Sequence, residues 1–353
     1  DFHRDGMQLA MIQHPPAFGM TIKDFNEAEI KSMPGVKDAF IVDTTVEEPG
    51  GFDEKGFKQL IAIVGDSTWE LMQAKKALKA NWETTGELES SAIHVKRLEK
   101  ALVSGEVMES RKDGNPDAAF KKAAKIIERT YSAPFIAHNT LEPMNFFANV
   151  TADSAELIGP TQTPEALEGS VSKLLNLPLE NVTVNMTRIG GGFGRRLYVH
   201  FGVEAAAISK KIGAPVKLIY SREDDMTQGT YRPTYRSVYK AGLDENNNLI
   251  AFTVKGAGLP EGPVFPNRFP AGAVENYSAE KIKAPTNVTT GAWRAPRSNF
   301  TAGAEQAFLD EVAEAAGKDP IDFRLELFDR AMKDPVGEKH EYEAERYAGV
   351  LKL

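Results

Sequence analysis

Apolar and polar side chains alternate from Val182 to Met186, near the middle of the chain. Alternation with a period of two is typical of a half-buried strand, so a strand is predicted over residues 182–189. Residues 198–211 instead carry apolar side chains at helical spacing, and Gly213 follows them. This pattern predicts a helix that ends at the glycine.

The first hundred residues combine strand and helix patterns and predict a small α+β unit. Prolines and glycines separate its elements, and the glycines and acidic residues at 47–56 predict an exposed loop. The predicted elements are strands at 7–12, 36–42 and 60–64 and helices at 26–32 and 69–81.

The predicted fold class is α+β, in two domains. Residues 1–100 form the small unit, and the polar residues 101–115 predict a linker. Residues 116–330 repeat strand and helix patterns and predict a mixed α/β domain. The patterns include a crossover helix at 165–175 between two strands and a hairpin turn at 244–248. The charged tail at 331–353 predicts the start of a following domain that this chain does not contain.

A glycine-rich loop connects the central strand to the helix that follows it. Glycine has no Cβ, so the backbone N–H groups of such a loop can approach a ligand closely. The start of the helix favours negative charge, and Arg195 and Arg196 add two cations. We therefore predict an anion-binding loop, above all for phosphate. The loop consists of Gly190, Gly191, Gly192, Phe193 and Gly194.

The spacing of these glycines does not match the two standard nucleotide-binding motifs. The dinucleotide motif needs a glycine three positions after Gly192, where this chain has Arg195. The P-loop motif ends in Gly-Lys-Ser/Thr, and neither lysine nor serine follows the loop. A turn whose glycines only allow two elements to pack closely is the alternative interpretation.

The composition narrows the class of protein. With 353 residues, 42% of them apolar and 26% charged, the chain is typical of globular proteins with about two domains. Its net charge of -8 argues against nucleic acid as a partner. No apolar run is long enough to predict a membrane span.

The chain contains no cysteine, which excludes disulfides, thiolate metal sites and an ordinary iron–sulfur cluster bound by this chain. Electrons from any redox reaction would have to leave through another polypeptide or segment. The chain begins at Asp1 rather than at Met, so we expect it to be part of a longer protein, and the lack of a signal-peptide pattern is then uninformative. The compartment, cytoplasmic or periplasmic, stays open.

Two groups of polar residues have some features of metal sites. His138 and Glu142 are four residues apart, but Pro143 argues against a helix that would place both on one face. A hydrogen-bonded structural role is therefore favoured for this pair. The acidic residues 223–225 stand close to two arginines, which favours surface ion pairs. No direct metal ligand is predicted.

The string from Arg188 to Arg196 resembles the molybdopterin-loop signature of the xanthine dehydrogenase and aldehyde oxidase family. Its two final arginines are similar to the form in the isoquinoline 1-oxidoreductase beta subunit. The first hundred residues resemble the α/β hammerhead domain that precedes the molybdopterin-binding domain in this family. Three further strings resemble the family in the same order: Thr161-Gln162, Gly291 to Asn299 and Gly317 to Arg324.

The resemblance implies which residues bind the cofactor. Gln162 would hydrogen-bond an oxygen on molybdenum, and the glycine loop would supply backbone contacts. The string around Trp293 would lie against the pterin, and arginines would add charge or backbone support. The implied cofactor-binding residues are Gln162, Gly190, Gly191, Gly192, Phe193, Gly194, Arg195, Trp293, Arg294 and Ala295.

The resemblance also concerns the substrate and the catalytic base. Leu197 stands where purine-oxidising members carry a glutamate, and Pro296 occupies a substrate-side position, so an apolar substrate pocket is implied. The family base is a glutamate in a Gly-Glu-Pro-like segment near the far C-terminus. Here Glu338 is followed by Lys339, and no catalytic residue is predicted within the chain.

The function implied is hydroxylation of an N-heterocycle or aldehyde, with oxygen derived from water. The implied cofactor is molybdopterin cytosine dinucleotide, and [2Fe-2S] clusters would lie on a small iron–sulfur partner subunit. The chain by itself is expected to be inactive. Two other classes stay open: a non-catalytic phosphate- or nucleotide-binding module, and a structural fragment that folds without a ligand.

Overall fold

The computed structural model describes residues 2–47, 57–227 and 229–353, which form a mixed α/β structure. The exposed loop predicted at 47–56 lies, apart from Glu47, outside these residues. The strands are β1 (Gln8–Gln13), β2 (Met20–Phe25), β3 (Val36–Asp43), β4 (Gln59–Gly65), β5 (Ala80–Thr84), β6 (Glu106–Asp113), β7 (Lys125–Ala133), β8 (Asn145–Val150), β9 (Ala155–Gly159), β10 (Val182–Met186), β11 (Val216–Ile219), β12 (Thr234–Leu243), β13 (Leu249–Leu259) and β14 (Asn276–Lys283). The helices are α1 (Glu27–Lys31), α2 (Thr68–Ala77), α3 (Ser91–Ser104), α4 (Pro116–Lys122), α5 (Pro164–Leu175), α6 (His200–Ile212), α7 (Arg222–Thr227), α8 (Ser298–Ala315), α9 (Pro320–Lys333) and α10 (Ala344–Leu351).

The chain divides into two compact units, each assembled from three separate segments. The domain boundaries predicted near residues 100, 115 and 330 remain predictions. Residues 101–115 nevertheless contain the end of α3 and all of β6, so this stretch has regular structure. The first unit comprises Asp1–Glu89, Ile136–Arg232 and Asn287–Arg294, and the second comprises Ser90–Phe135, Pro233–Thr286 and Ala295–Leu353.

The first unit is built on a seven-stranded mixed sheet with the strand order β10-β9-β8-β11-β1-β4-β3. β1 pairs with β11 in parallel, as does β9 with β10, while the other neighbours are antiparallel. Apolar residues of α5 and α6 pack against this sheet in the main core. β2 and β5 form a separate two-stranded sheet.

The predicted crossover helix is present as α5, between the parallel strands β9 and β10. Leu167, Val171 and Leu175 recur at intervals of four and are all buried, which fixes the helix face that packs on the core. Asn176 ends the helix with φ of 54°, a left-handed conformation that asparagine tolerates. β10 ends at Met186, three residues before the predicted end of this strand.

The helix after the glycine loop begins later than predicted. A 3₁₀ turn at Arg195–Leu197 follows the loop, and α6 begins only at His200. The N–H groups of Arg195 and Leu197 donate to the carbonyl oxygens of Gly192 and Gly194, which closes this tighter turn. The helix is therefore present, and it begins two residues after the predicted start at residue 198.

The second unit contains a five-stranded sheet with the order β6-β14-β13-β12-β7. The hairpin predicted between β12 and β13 is present, and the Asp244 carboxylate accepts hydrogen bonds from the N–H groups of Asn246 and Asn248 in the turn. α8 packs on this sheet, α9 packs on α8, and α10 packs on α9. Among the described residues, no helix combines the length and apolar character needed to cross a membrane.

Candidate functional site

The glycine-rich loop and Gln162 lie at the same edge of the seven-stranded sheet. β9 and β10 run parallel, so their carboxyl ends meet there, Gln162 following β9 and the loop following β10. The Gln162 N–H donates to the carbonyl oxygen of Arg196 at 2.9 Å. Its side-chain Oε1 accepts from the N–H of Gly194 at 3.2 Å. Gln162 thus contacts the predicted anion loop directly.

At two positions of the loop, neighbouring atoms lie so close that only glycine fits. Gly194 has φ of 102°, and a Cβ at this position would lie 2.3 Å from the carbonyl oxygen of Ala292. A Cβ at Gly192 would lie 2.5 Å from Oε1 of Gln162. These contacts leave no room for a side chain, so the glycines do allow close packing, as the alternative interpretation holds.

The loop also presents free hydrogen-bond donors. The N–H groups of Gly191, Gly192 and Phe193 donate no hydrogen bond within the described part of the chain, and all three residues are partly or fully exposed. Left-handed backbone at Gly191 (φ 101°) and Phe193 (φ 57°) flanks Gly192. Consecutive N–H groups in such turns form anion-binding concavities. The loop therefore fits the negatively charged oxygens of a phosphate-bearing cofactor.

Arg196 supports the loop from inside. Its guanidinium donates to the carbonyl oxygens of Gly191 at 2.8 Å, Pro160 at 3.3 Å and Glu142 at 2.9 Å, and to Oε2 of Glu142 at 3.1 Å. Burial lowers the pKa of Arg196 to about 10, so the group stays cationic at neutral pH. The prediction of Arg196 as an anion-binding cation is corrected, because its donors are used within the protein.

The side chain of Arg195 belongs to a buried polar cluster. It is 1% exposed, its Nη2 donates to Nε2 of His200 at 3.1 Å, and its Nε lies 3.8 Å from Oδ1 of Asp225. Burial lowers the pKa of His200 well below its usual value, with Arg195 as a second cause. The Nε2 of a neutral His200 can accept this hydrogen bond, and Arg195 remains a cation. A contribution of Arg195 to cofactor binding, through its main chain or long-range charge, remains a prediction.

Of the acidic residues 223–225, Asp224 and Asp225 form ion pairs, and both are buried. Asp224 and Asp225 are 2% and 4% exposed, so the expected surface location is wrong for both. Lys75 pairs with Asp224, and Arg222 pairs with Asp225 at 3.0 Å. Among the described residues, no group of three histidine, cysteine, aspartate or glutamate side chains is arranged to hold a metal ion.

The segment around Trp293 contacts the glycine loop, although the two lie far apart in the sequence. The N–H of Arg294 donates to the carbonyl oxygen of Phe193 at 2.8 Å, and its guanidinium lies over the Phe193 ring at 5.7 Å. The N–H of Ala292 donates to the Tyr198 hydroxyl at 2.6 Å. The predicted elements around Gln162, the glycine loop and Trp293 therefore form one continuous site within the first unit.

His138 also contributes to this site, through the Trp293 segment. Its Nε2 lies 2.7 Å from the carbonyl oxygen of Ala292, and its ring stacks on Trp293 with centroids 4.4 Å apart. Glu142 instead accepts from the N–H of Gly190 at 2.8 Å. The two residues therefore do not act as a pair, and each positions a different segment of the site.

Burial lowers the pKa of His138 to about 4, so the ring is neutral at pH 7 and can donate its Nε2 proton to Ala292. In the unfolded chain the imidazole takes up a second proton near pH 6.5, whereas in the folded chain it does so only near pH 4. The stability that is present above pH 6.5 is therefore lost as the pH falls toward 4. We expect the free energy of unfolding to drop by about 2 kcal/mol between pH 7.5 and pH 5 from this residue. Urea unfolding of His138→Gln should lack this component, whereas a variant of the exposed His3, His3→Gln, should keep it. Equal pH dependence in all three proteins would contradict the assignment.

The remaining predicted residues lie at the ends of this site or in the second unit. Leu197 is half-buried in the first unit, and its carbonyl oxygen accepts from the Thr163 hydroxyl at 2.7 Å. Ala295 and Pro296 are exposed and belong to the second unit. Contact of Ala295 with the cofactor, and a substrate pocket that includes Leu197 and Pro296, therefore remain predictions.

This geometry defines a mixed α/β cofactor-binding protein, with free loop amides next to an exposed glutamine and an aromatic-arginine segment. Residues 100–328 match the family described as the molybdopterin cofactor-binding domain. This match covers more than half of the chain. The chain therefore belongs to the molybdopterin-binding proteins of the xanthine dehydrogenase and aldehyde oxidase family, as the resemblance of its loop predicted.

The chain is similar over 92% of its length to two curated relatives, each 26% identical to it. One is the "Membrane-bound aldehyde dehydrogenase [pyrroloquinoline-quinone]" of Gluconacetobacter polyoxogenes, of which it covers 44%, and the other is the isoquinoline 1-oxidoreductase subunit beta of Brevundimonas diminuta, of which it covers 43%. The fold is similar to a crystal structure of the aldehyde oxidoreductase from Desulfovibrio desulfuricans, with a TM-score of 0.70, 16% identity, and coverage of 92% of this chain and 40% of that chain. The chain thus spans less than half the length of these proteins.

Proposed function

We propose that this chain is the cofactor-binding part of a molybdenum hydroxylase large subunit that oxidises an aldehyde or an N-heterocycle. One observation supports this above all: three consecutive free amides of the glycine loop lie beside Gln162 and the Trp293–Arg294 segment. When bound, the cofactor would supply two-electron redox chemistry, and the protein would bind and orient it. The names of the relatives, an aldehyde dehydrogenase and an isoquinoline oxidoreductase, support both substrate classes.

The residues of the site have distinct proposed roles. The free amides of Gly191, Gly192 and Phe193 would hold the negatively charged oxygens of the cofactor. Gln162 uses its Oε1 to hold Gly194 and is exposed, so its amide N–H groups can donate to a bound oxygen. Arg294 is exposed above Phe193 and would add a cation at the same place.

We propose the cytosine dinucleotide form of molybdopterin as the cofactor, because its additional phosphates suit an anion-binding loop. We also propose that Trp293 and Ala295 contact the pterin, and that Leu197 and Pro296 border an apolar substrate pocket. The first hundred residues are proposed to form a hammerhead-like domain. Since the chain has no cysteine, the iron–sulfur clusters that accept electrons would lie on a small partner subunit.

The chain is proposed to bind the cofactor without completing the reaction. Glu338, in a sequence that only partly matches the family base, belongs to a turn beside buried residues. Its N–H donates to the Asp113 carboxylate at 3.1 Å, and its carbonyl oxygen accepts from Arg111. Both bonds use only the main chain of Glu338. Because its sequence matches the family motif only in part, the general base is proposed to lie outside this chain.

A binding experiment tests this proposal. The chain is produced in cells that make the molybdenum cofactor, and its molybdenum is measured, together with the CMP released by acid hydrolysis. We expect both in the wild type, and about ten-fold less in Gln162→Ala and in Arg294→Ala, because each removes hydrogen bonds or charge worth roughly 1.5 kcal/mol. Arg188→Ala, an exposed arginine close to the loop, is the matched control and should retain wild-type amounts.

The outcome also separates the rival functions. Retention of a free nucleotide without molybdenum would favour a phosphate- or nucleotide-binding module and overturn the proposal. Retention of neither, in a folded protein, would favour a structural fragment. Retention of pyrroloquinoline quinone in place of molybdenum would mean that the named cofactor of one relative, rather than that of the family, binds here.

A further inference from the structure

The second unit contains a cavity of about 390 Å³ between its sheet and its helices, a volume within the range of small-molecule sites. Strands β12, β13 and β14 form one wall with Tyr239, Phe252 and Tyr277, and Phe269 and Phe328 form another. The rings of Phe252 and Tyr277 are stacked, with 6.1 Å between centroids and 15° between planes. Flat, rigid aromatic walls suit a flat aromatic ligand.

Polar groups are few in this cavity and come mainly from one side. Glu305 and Gln306 lie on α8, Arg324 lies on α9, and Arg268 lies on the connection between β13 and β14. Gln306 donates its side-chain amide to Oε1 of Glu305 at 3.2 Å. A largely apolar cavity with a small number of convergent polar groups is the usual composition of a binding site.

The two arginines of the cavity differ in their bonding. Arg324 is saturated, because it donates to the side chain and the carbonyl oxygen of Gln306 and pairs with Asp310 at 2.8 Å. The half-buried Arg268 makes no side-chain hydrogen bond or ion pair within the described residues, and its guanidinium lies over the Phe265 ring at 6.0 Å. A partly desolvated guanidinium without an acceptor is a binding group for an anion.

Glu305 does not cancel this charge at neutral pH. Burial raises its pKa to about 7, while Gln306, Arg268 and Arg324 oppose that shift. Protonated Glu305 is therefore accessible near neutral pH, and a protonated carboxyl can donate a hydrogen bond. With a cationic Arg268 beside it, the cavity offers donors to a negatively charged ligand and repels a positively charged one.

We propose that this cavity binds a planar aromatic carboxylate, with the ring between the aromatic walls and the carboxylate on Arg268 and Glu305. The site lies entirely in the second unit, and the inference does not depend on the proposed cofactor site in the first unit. A bound carboxylate favours protonated Glu305, so binding takes up a proton. Affinity is therefore expected to fall as the pH rises through 7.

Isothermal titration of the purified chain with 2-naphthoate tests the proposal. At pH 6, 2-naphthoate should bind at least ten-fold more tightly than its neutral and cationic analogues, 2-naphthalenemethanol and 2-naphthylmethylammonium. Arg268→Met should reduce the affinity at least ten-fold, and Ala302→Trp, at an exposed position on the cavity wall, should block binding without altering the core. Arg346→Met, an exposed arginine outside the cavity lining, should bind as the wild type does.

The pH dependence adds a second readout. Between pH 6 and pH 8 the wild type should lose affinity for 2-naphthoate several-fold, whereas Glu305→Gln should bind with an affinity that does not change with pH. Absence of binding in the folded wild type would overturn the proposal. It would also be overturned by equal or tighter binding of the ammonium or alcohol analogue, or by wild-type affinity in Arg268→Met. Loss of molybdenum binding in the first unit would leave these outcomes unchanged.

Discussion

Gly194→Ala is expected to destabilise the protein by about 3 kcal/mol and to abolish retention of the cofactor. The position has φ of 102°, which is unfavourable for alanine, and the new Cβ would lie 2.3 Å from the carbonyl oxygen of Ala292. Backbone on both sides would have to move, and Ala292 is held by Tyr198 and His138. Urea unfolding gives the stability change, and molybdenum content gives the binding change.

Gly169→Ala is the matched control for this prediction. Gly169 lies inside α5, where a Cβ would meet nothing within 4 Å, and its backbone is not left-handed. Alanine is a better helix former than glycine by about 1 kcal/mol, so this variant should be as stable as the wild type or more stable. Similar losses in the two variants would show that the loop has no special requirement at Gly194.

Arg196→Met is expected to lower the free energy of unfolding by about 3 kcal/mol. Methionine has a similar length but cannot donate, so the carbonyl oxygens of Gly191, Pro160 and Glu142 lose their partner in a buried place. The glycine loop should then open more often. Hydrogen exchange of the loop amides, followed by mass spectrometry, should become faster together with the loss of stability.

The exposed Arg188, close to the loop in sequence, supplies the comparison. Arg188→Met should change stability by less than about 0.5 kcal/mol and leave loop exchange unaltered, because surface substitutions without buried partners have small effects. If Arg196→Met behaved in the same way, Arg196 would not be the support of the loop that its hydrogen bonds suggest.

Some of the site was predictable because its causes are local. The period of two before Gly190, the helical spacing in α5 and the Asp244 turn depend on residues close together in the sequence. The glycine loop can bring its backbone N–H groups close to a ligand because glycine has no Cβ. This property belongs to the residues themselves and does not depend on the rest of the chain. Its resemblance to the molybdopterin loop rests on the same short string and agrees with the family match.

Other features could not be read from local sequence. Arg195 and Arg196 look alike as neighbours, yet one bonds to His200 while the other supports the loop through the distant carbonyl oxygens of Pro160 and Glu142. The burial of Asp224 likewise depends on a remote segment, because its ion-pair partner is Lys75. An arginine or aspartate is buried only where the fold supplies partners, and for Arg196 and Asp224 some of those partners lie far away in the chain.

The sequence by itself therefore determined the crossover unit, the glycine loop and the family, since periodicity, missing side chains and short strings are properties of neighbouring residues. Only the tertiary structure decided that His138 holds the Trp293 segment. It also decided that the free loop amides are those of Gly191, Gly192 and Phe193. The physical reason is that hydrogen-bond partners and desolvation are set by which distant backbones approach each other, and one-dimensional spacing does not contain that information.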